Sequence, residues 1–349
     1  MRDACSMNRR ELLKAAGLGV AGLGVVAAAG GLETPLASAG KGAAPPKVPG
    51  ASPSVTAPPK VPGASPSVTA LSNAATRAKA AGSSKAAAPS EAANPSKAAD
   101  PYKGLKVGVT SYTLRRFSLD ETIRIVKELG LKYIALKDVH LKMTLTKEEL
   151  QAAARKIQAA GLTLMGGGVV YLGKEEAESR KGFEYARDAG MPLISASFDP
   201  TALPIVEKLA KEFGIRVAIH NHGPGDKVFP SALGAHEKIK GMDKRMGLCL
   251  DVGHTVRQGE REVETIRAVK DRILDFHIKD VNRRDAKGTT VVMGKGVIDL
   301  PGVLKALLEM KYPGHVALEY ENDTKDLVAD VAECFAYIRK TLGETKLEG

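Results

Sequence analysis

The chain has 349 residues, 44% of them hydrophobic, and a formal net charge of +11. That length allows about two domains. However, residues 1–102 are mostly Ala, Gly, Pro, Ser and Lys, too poor in apolar side chains to offset the entropy of ordering. The charge is spread as +1 over residues 1–39, +5 over 40–100 and +5 beyond, which argues for an ordinary enzyme surface and against a nucleic acid partner.

The N-terminus reads as an address. Asn8-Arg9-Arg10-Glu11-Leu12-Leu13-Lys14, an apolar stretch from Ala15 to Ala29 and the small residues Ala37-Ser38-Ala39 resemble a twin-arginine export signal with its cleavage site. The apolar stretch is short and weakly hydrophobic for a membrane span. Residues 1–39 are thus expected to be a signal peptide read by the twin-arginine translocation machinery. The expected location is the periplasm, with a membrane tether if the signal is not cleaved. Residues 45–57, PPKVPGASPSVTA, recur letter for letter at 58–70. An identical tandem copy of this composition is a duplicated spacer, so 40–102 is expected to be a disordered linker. Of three cysteines, Cys5 lies in the signal, Cys249 in a core strand and Cys334 in the last helix, which gives no disulfide framework.

From Lys103 the pattern becomes regular. Apolar, β-branched runs at Lys106–Tyr112, Tyr133–Val139, Thr163–Gly168, Leu193–Phe198, Arg216–His222, Met246–Asp251, Ile273–Lys279 and His315–Glu321 predict strands. Helices are predicted between them, among others at Leu119–Leu129, Lys147–Ala160, Ala202–Phe213, Glu260–Val269 and Leu300–Met310. Ser118 and Thr146 stand at N-cap positions, and Gly130, Gly161, Gly190 and Gly214 where helices stop. Eight strand-then-helix units predict an α/β fold, a (β/α)8 TIM barrel over residues 103–349, with an open doubly wound sheet as the alternative. In such a barrel the chemistry sits at the C-terminal strand ends.

Those ends are informative. Strand five ends His220-Asn221-His222, strand six Asp251-Val252-Gly253-His254, strand seven His277-Ile278-Lys279-Asp280 and strand eight Glu319-Tyr320-Glu321. Four of the chain's seven histidines fall there. Any one of these residues alone is more often a core, capping or surface residue. Together, carboxylates and imidazoles converging inside a barrel call for a cation.

Asp251-x-x-His254, His277-x-Lys279-Asp280 with Arg283, Gly294-x-Gly296 and Glu319 resemble the second half of the sugar isomerase/epimerase family, with its xylose-isomerase-like barrel. The resemblance implies metal ligands at Asp251, His277 and Glu319, and substrate contacts at His254 and Arg283. The family commonly has Glu where this chain has His220, followed by His222. The economical reading makes His220 the fourth ligand of one divalent ion, manganese or zinc ahead of magnesium or cobalt. It also weakens the case for epimerisation by two paired carboxylates. The family often has an inward Glu on strand two, where this chain offers Lys137.

The implied activity is isomerisation or epimerisation of a sugar or keto-sugar through a metal-stabilised enediolate. Glu319 is the candidate base, His254 and Lys137 assist it, and His222, His254, Lys279 and Arg283 bind substrate. Rival readings are β-elimination from a keto-glycoside at the same site, a non-catalytic sugar-binding barrel, and an endonuclease for abasic DNA. The last needs a further histidine, and none occurs between Asp285 and Gly296. A homo-oligomer is compatible with all of these.

Overall fold

A computed structural model describes residues 100–347. The expected signal peptide, and all of the expected linker but its last three residues, lie outside the described residues.

Eight parallel strands close a barrel: β1 (Lys106–Thr110), β2 (Tyr133–Leu136), β3 (Thr163–Tyr171), β4 (Leu193–Ser197), β5 (Arg216–His220), β6 (Met246–Asp251), β7 (Ile273–Ile278) and β10 (His315–Leu318). Closure is made by β1 pairing with β10, from Lys106 opposite His315 to Val109 opposite Leu318. The open-sheet alternative is thereby corrected. The helices are α1 (Leu119–Glu128), α2 (Lys147–Ala159), α3 (Glu176–Asp188), α4 (Leu203–Phe213), α5 (Ala232–Ile239), α6 (Val252–Arg257), α7 (Glu262–Val269), α8 (Leu300–Glu309) and α9 (Leu327–Glu344). Among the described residues no helix is long and apolar enough to cross a membrane.

Local chemistry explains the element borders. Ser118 and Thr146 each form a reciprocal capping box, with Glu121 and Glu149, at the starts of α1 and α2. Gly130, Gly161, Gly190 and Gly214 follow helices at positive φ, as expected. The main core lies between the barrel wall and the helices, where outward strand residues such as Val109, Ile194, Ile219, Leu250, Phe276 and Leu318 are fully buried.

Most predicted strands overrun the observed ones by one to three residues at the mouth. β2 ends at Leu136, β5 at His220, β7 at Ile278 and β10 at Leu318. Lys137, His222, Lys279 and Glu319 therefore sit just past the sheet, where the chain turns over the rim. β3 errs the other way, running to Tyr171. Its Gly166-Gly167-Gly168 run could have been a ligand approach or a loose turn. It is instead packed against the next strand: a Cβ on Gly168, which has φ +127, would come within 2.1 Å of the Ser195 carbonyl oxygen.

Beyond β7 a short antiparallel hairpin, β8 (Asp280–Val281) with β9 (Thr290–Val291), stands at the mouth. Two-residue strands carry no alternation, so sequence patterning misses them. The buried Asp280 carboxylate anchors this region, accepting N–H bonds from Gly294 and Gly296, both at 2.9 Å. The Gly294-x-Gly296 motif thus has a structural role: a Cβ on Gly296 would strike the Asp280 carboxylate, and one on Gly294 the Tyr337 ring.

Candidate functional site

Register brings the ligand candidates level. His220 lies opposite Cys249, Asp251 opposite His277, and His277 opposite Ala317, two residues before Glu319. Ligand atoms of His220, Asp251, His277 and Glu319 all lie within 4.8 Å of one another, and all four residues are buried. His277 Nδ1 is 3.2 Å from His220 Nε2 and 3.1 Å from Glu319 Oε2. Two imidazole nitrogens facing each other at that distance can share at most one proton, so at least one lone pair points into the cluster.

Asp251 divides its oxygens. Oδ1 accepts the backbone N–H of His254 at 2.8 Å and caps α6. Oδ2 faces the cluster without a hydrogen bond, although the Lys279 ammonium is 2.9 Å away and His220 Nε2 is 3.6 Å away. The end of β6 is held by Asn221. Its Oδ1 accepts the Asp251 N–H at 2.9 Å, and its Nδ2 donates to the Asp251 carbonyl at 3.2 Å.

Lys279 is the electrostatic centre. Its fully buried ammonium lies 2.9 Å from Asp251 Oδ2, 2.9 Å from Glu319 Oε2 and 2.7 Å from Glu321 Oε2. Burial works against its charge, but Asp251, Glu319 and Glu321 outweigh burial and hold its pKa well above the ordinary lysine value. Burial likewise opposes charge on Asp251, but Lys279 and His254 hold it well below the usual carboxylate range. For Glu319, burial is outweighed by His277 and Lys279 in the same sense, so the carboxylate stays ionised.

His277 is held well above the ordinary imidazole value, its carboxylate neighbours Glu319 and Asp251 helping to outweigh burial, whereas His220, His222 and His254 are kept neutral. Burial, with the neighbouring imidazoles, pushes His220 and His222 down to about 4, and burial also lowers His254. The His220 ring centroid lies 4.4 Å from that of His222 and 5.7 Å from that of His254. His222 Nδ1 also lies 3.0 Å from Asp226 Oδ2.

Lys137 and Arg283 lie elsewhere. Lys137 is one residue past β2 instead of at an inward strand position, with its ammonium 4.8 Å from the Tyr112 ring centroid. It stays near enough to His222 for its charge to help depress that imidazole. Arg283 is not brought to the cluster. It lies exposed in the turn between β8 and β9 and pairs with Asp285 at 2.7 Å. Lys279, expected to touch substrate, has its ammonium engaged by three carboxylates.

Sequence reading named Glu321 at a strand end without giving it a role and passed over Asp275, which strand alternation from His277 could have flagged. The Asp275 carboxylate lies beneath the cluster, 3.8 Å from His277 Nε2, and accepts the Ser195 hydroxyl at 3.0 Å. A cavity of about 250 Å³ adjoins the cluster, lined by His254, Arg257, Lys279, Thr290 and Glu321 among others.

Two imidazoles, two ionised carboxylates and a buried oxygen that accepts no hydrogen bond, Asp251 Oδ2, fit a divalent ion. Fold and donor set together define an eight-stranded parallel α/β barrel, a TIM barrel, with a candidate metal centre. Residues 202–341 match the family model for the xylose isomerase-like TIM barrel.

Among curated proteins, inosose dehydratase from Klebsiella pneumoniae is 31% identical over 157 residues, covering 40% of this chain and 51% of that protein. Inosose dehydratase from Lacticaseibacillus casei is 27% identical over 138 residues, covering 35% and 46%. The chain thus spans about half the length of the curated relatives it matches. Among solved structures, 3-keto-D-glucoside 4-epimerase from E. coli superposes with a TM-score of 0.55 at 16% identity, over 68% of this chain and 99% of that one. A xylose isomerase domain protein from Planctomyces limnophilus does so with 0.54 at 19%, over 69% and 99%. These two show the fold.

Proposed function

We propose that the barrel is a divalent-metal-dependent enzyme that removes the proton next to the carbonyl of a sugar or keto-sugar and returns it elsewhere, giving an isomer or epimer. The observation that carries this reading is the convergence of His220, Asp251, His277 and Glu319 within 4.8 Å beside an open cavity. These four would hold the ion. When bound, it supplies a Lewis acid that polarises the carbonyl and an adjacent hydroxyl.

The chain's own residues do the rest. Glu319, kept ionised, accepts the substrate proton. Lys279 bridges Glu319 to Glu321, which is one-third exposed, so a proton can pass from the buried carboxylate toward solvent. His254, neutral at the cavity wall, positions a substrate hydroxyl.

Because His220 is not a carboxylate, the case for epimerisation by two paired carboxylates is weaker. Together with the dehydratase names of the curated relatives, this supports a second outcome from the same abstraction: elimination of a β-hydroxyl as water. The test is to strip the protein with EDTA, reload it with Mn²⁺ or Zn²⁺, and follow keto-sugars and inososes by proton NMR in D₂O. Metal-dependent loss of the α-proton signal is expected, with an alkene signal if elimination follows. No exchange with any substrate in the presence of a bound ion would sink the proposal.

Export belongs to the same reading. Replacing Arg9 and Arg10 together by Lys is expected to trap precursor in the cytoplasm, and unchanged export in that variant refutes it.

A further inference from the structure

Arg257 is the last residue of α6, two turns beyond Asp251, and its half-buried side chain lines the cavity beside the metal cluster. Its polar partners are neutral. Nη1 lies 3.2 Å from His254 Nδ1, and Nη2 donates to the Ala286 carbonyl at 3.0 Å. Its Nε is buried and has no partner. Among the described residues no carboxylate forms an ion pair with this guanidinium.

Every other charge in the cavity wall is accounted for. Lys279 is held by Asp251, Glu319 and Glu321, and Glu321 is in turn engaged by Lys279. Arg257 is thus the one uncompensated charge of the lining, a planar donor suited to a carboxylate. His254 stands between it and the cluster, touching Arg257 on one side with its ring centroid 5.7 Å from that of His220 on the other. A sugar-sized molecule with its carbonyl end at the cluster would place its far end at Arg257.

Resting on the catalytic reading above, we infer that this cavity is a carboxylate subsite and that the substrate is a sugar acid. A phosphate ester fits less well. A dianion would meet a single free guanidinium, leaving one of its two charges without a counter-charge in the lining.

The test compares D-glucose, D-glucuronate and D-glucose 6-phosphate by isothermal titration against the full-length protein. The first two share a ring and differ at C6, CH₂OH against carboxylate. Glucuronate is expected to bind about tenfold or more tighter than glucose, the scale of one charge-assisted hydrogen bond. Arg257→Gln should collapse that ratio toward one. Arg257→Lys, which keeps the charge, should retain part of it, and a far-ultraviolet melt of each variant controls for folding.

The inference is overturned if wild type treats glucose and glucuronate alike or binds neither, if Arg257→Gln keeps the preference, or if glucose 6-phosphate binds tightest. Its failure is distinguishable from that of the catalytic reading. Acid preference lost in Arg257→Gln, without any divalent ion bound at the cluster, upholds the subsite alone. Metal-dependent proton exchange without acid preference rejects the subsite alone.

Discussion

Lys279→Met tests the electrostatic account of the cluster most directly. The substitution roughly keeps the length of the side chain and removes an ammonium that lies within 3 Å of Asp251, Glu319 and Glu321, the first two almost fully buried. Removing one partner of a buried ion pair costs about 3–5 kcal/mol, because the opposite charge is left uncompensated. For a domain of this size, each kcal/mol lowers the melting temperature by about 2–4 °C. In EDTA the variant should therefore melt roughly 6–20 °C below wild type, read by circular dichroism. Saturating Mn²⁺ should recover most of the loss, because a cation bound by Asp251 and Glu319 supplies the missing counter-charge. The metal-induced rise should also be larger in Lys279→Met than in wild type, where ammonium and ion compete for the same two oxygens. A loss under about 2 °C in EDTA, or equal metal-induced rises in both proteins, refutes the reasoning.

Three further expectations follow from the same geometry. His220→Ala should weaken Mn²⁺ binding by tenfold or more in calorimetry, about 1.4 kcal/mol, whereas His254→Ala should bind the ion as wild type does and lose turnover; equal metal affinity for His220→Ala and wild type would mean that His220 is not a ligand. His220, His222 and His315 are depressed by burial to about 4, below their unfolded value near 6.5. Between those values the unfolded chain binds protons at these three positions that the folded chain does not, so their contribution to metal-free stability is full above about pH 6.5 and falls toward pH 4. The fall is at most about 1.4 kcal/mol per pH unit for each histidine, and a shallower denaturant-midpoint slope in His315→Leu checks it. Gly108→Ala should unfold more readily in urea, since its Cβ would sit 2.1 Å from the Tyr133 carbonyl oxygen and 2.6 Å from His315 Nε2; an unchanged midpoint would show that β1 can shift to accept it.

Barrel and cluster were legible in the sequence for the same reason: both depend on strand periodicity. Alternation along β5, β6, β7 and the residues just past β10 turns His220, Asp251, His277 and Glu319 inward at one level, and the structure brings those four together. Periodicity fails at the rim, because a residue past the last ladder bond is aimed by loop contacts. Lys137 is an example. Its backbone N–H is taken by the Ser111 hydroxyl at 2.8 Å, outside the sheet, so an alignment with an inward strand position does not carry over. Arg283 fails similarly: a two-residue hairpin that the sequence pattern does not announce carries it into solvent, while the neighbouring Arg284 is tied to Glu262 at 2.6 Å.

Asn221 shows the opposite case. It stands between two histidines on the face that alternation turns away from the barrel axis, so no reading for inward residues selects it. Yet its two hydrogen bonds to the Asp251 backbone set where that carboxylate begins. Side chains that aim a ligand through the backbone have no preferred strand face, only a required neighbour. They become visible once the register of β5 against β6 is known. Arg257 belongs with Asn221: three residues past His254 on α6, it shares that histidine's helix face, and its importance lies in having no carboxylate opposite it.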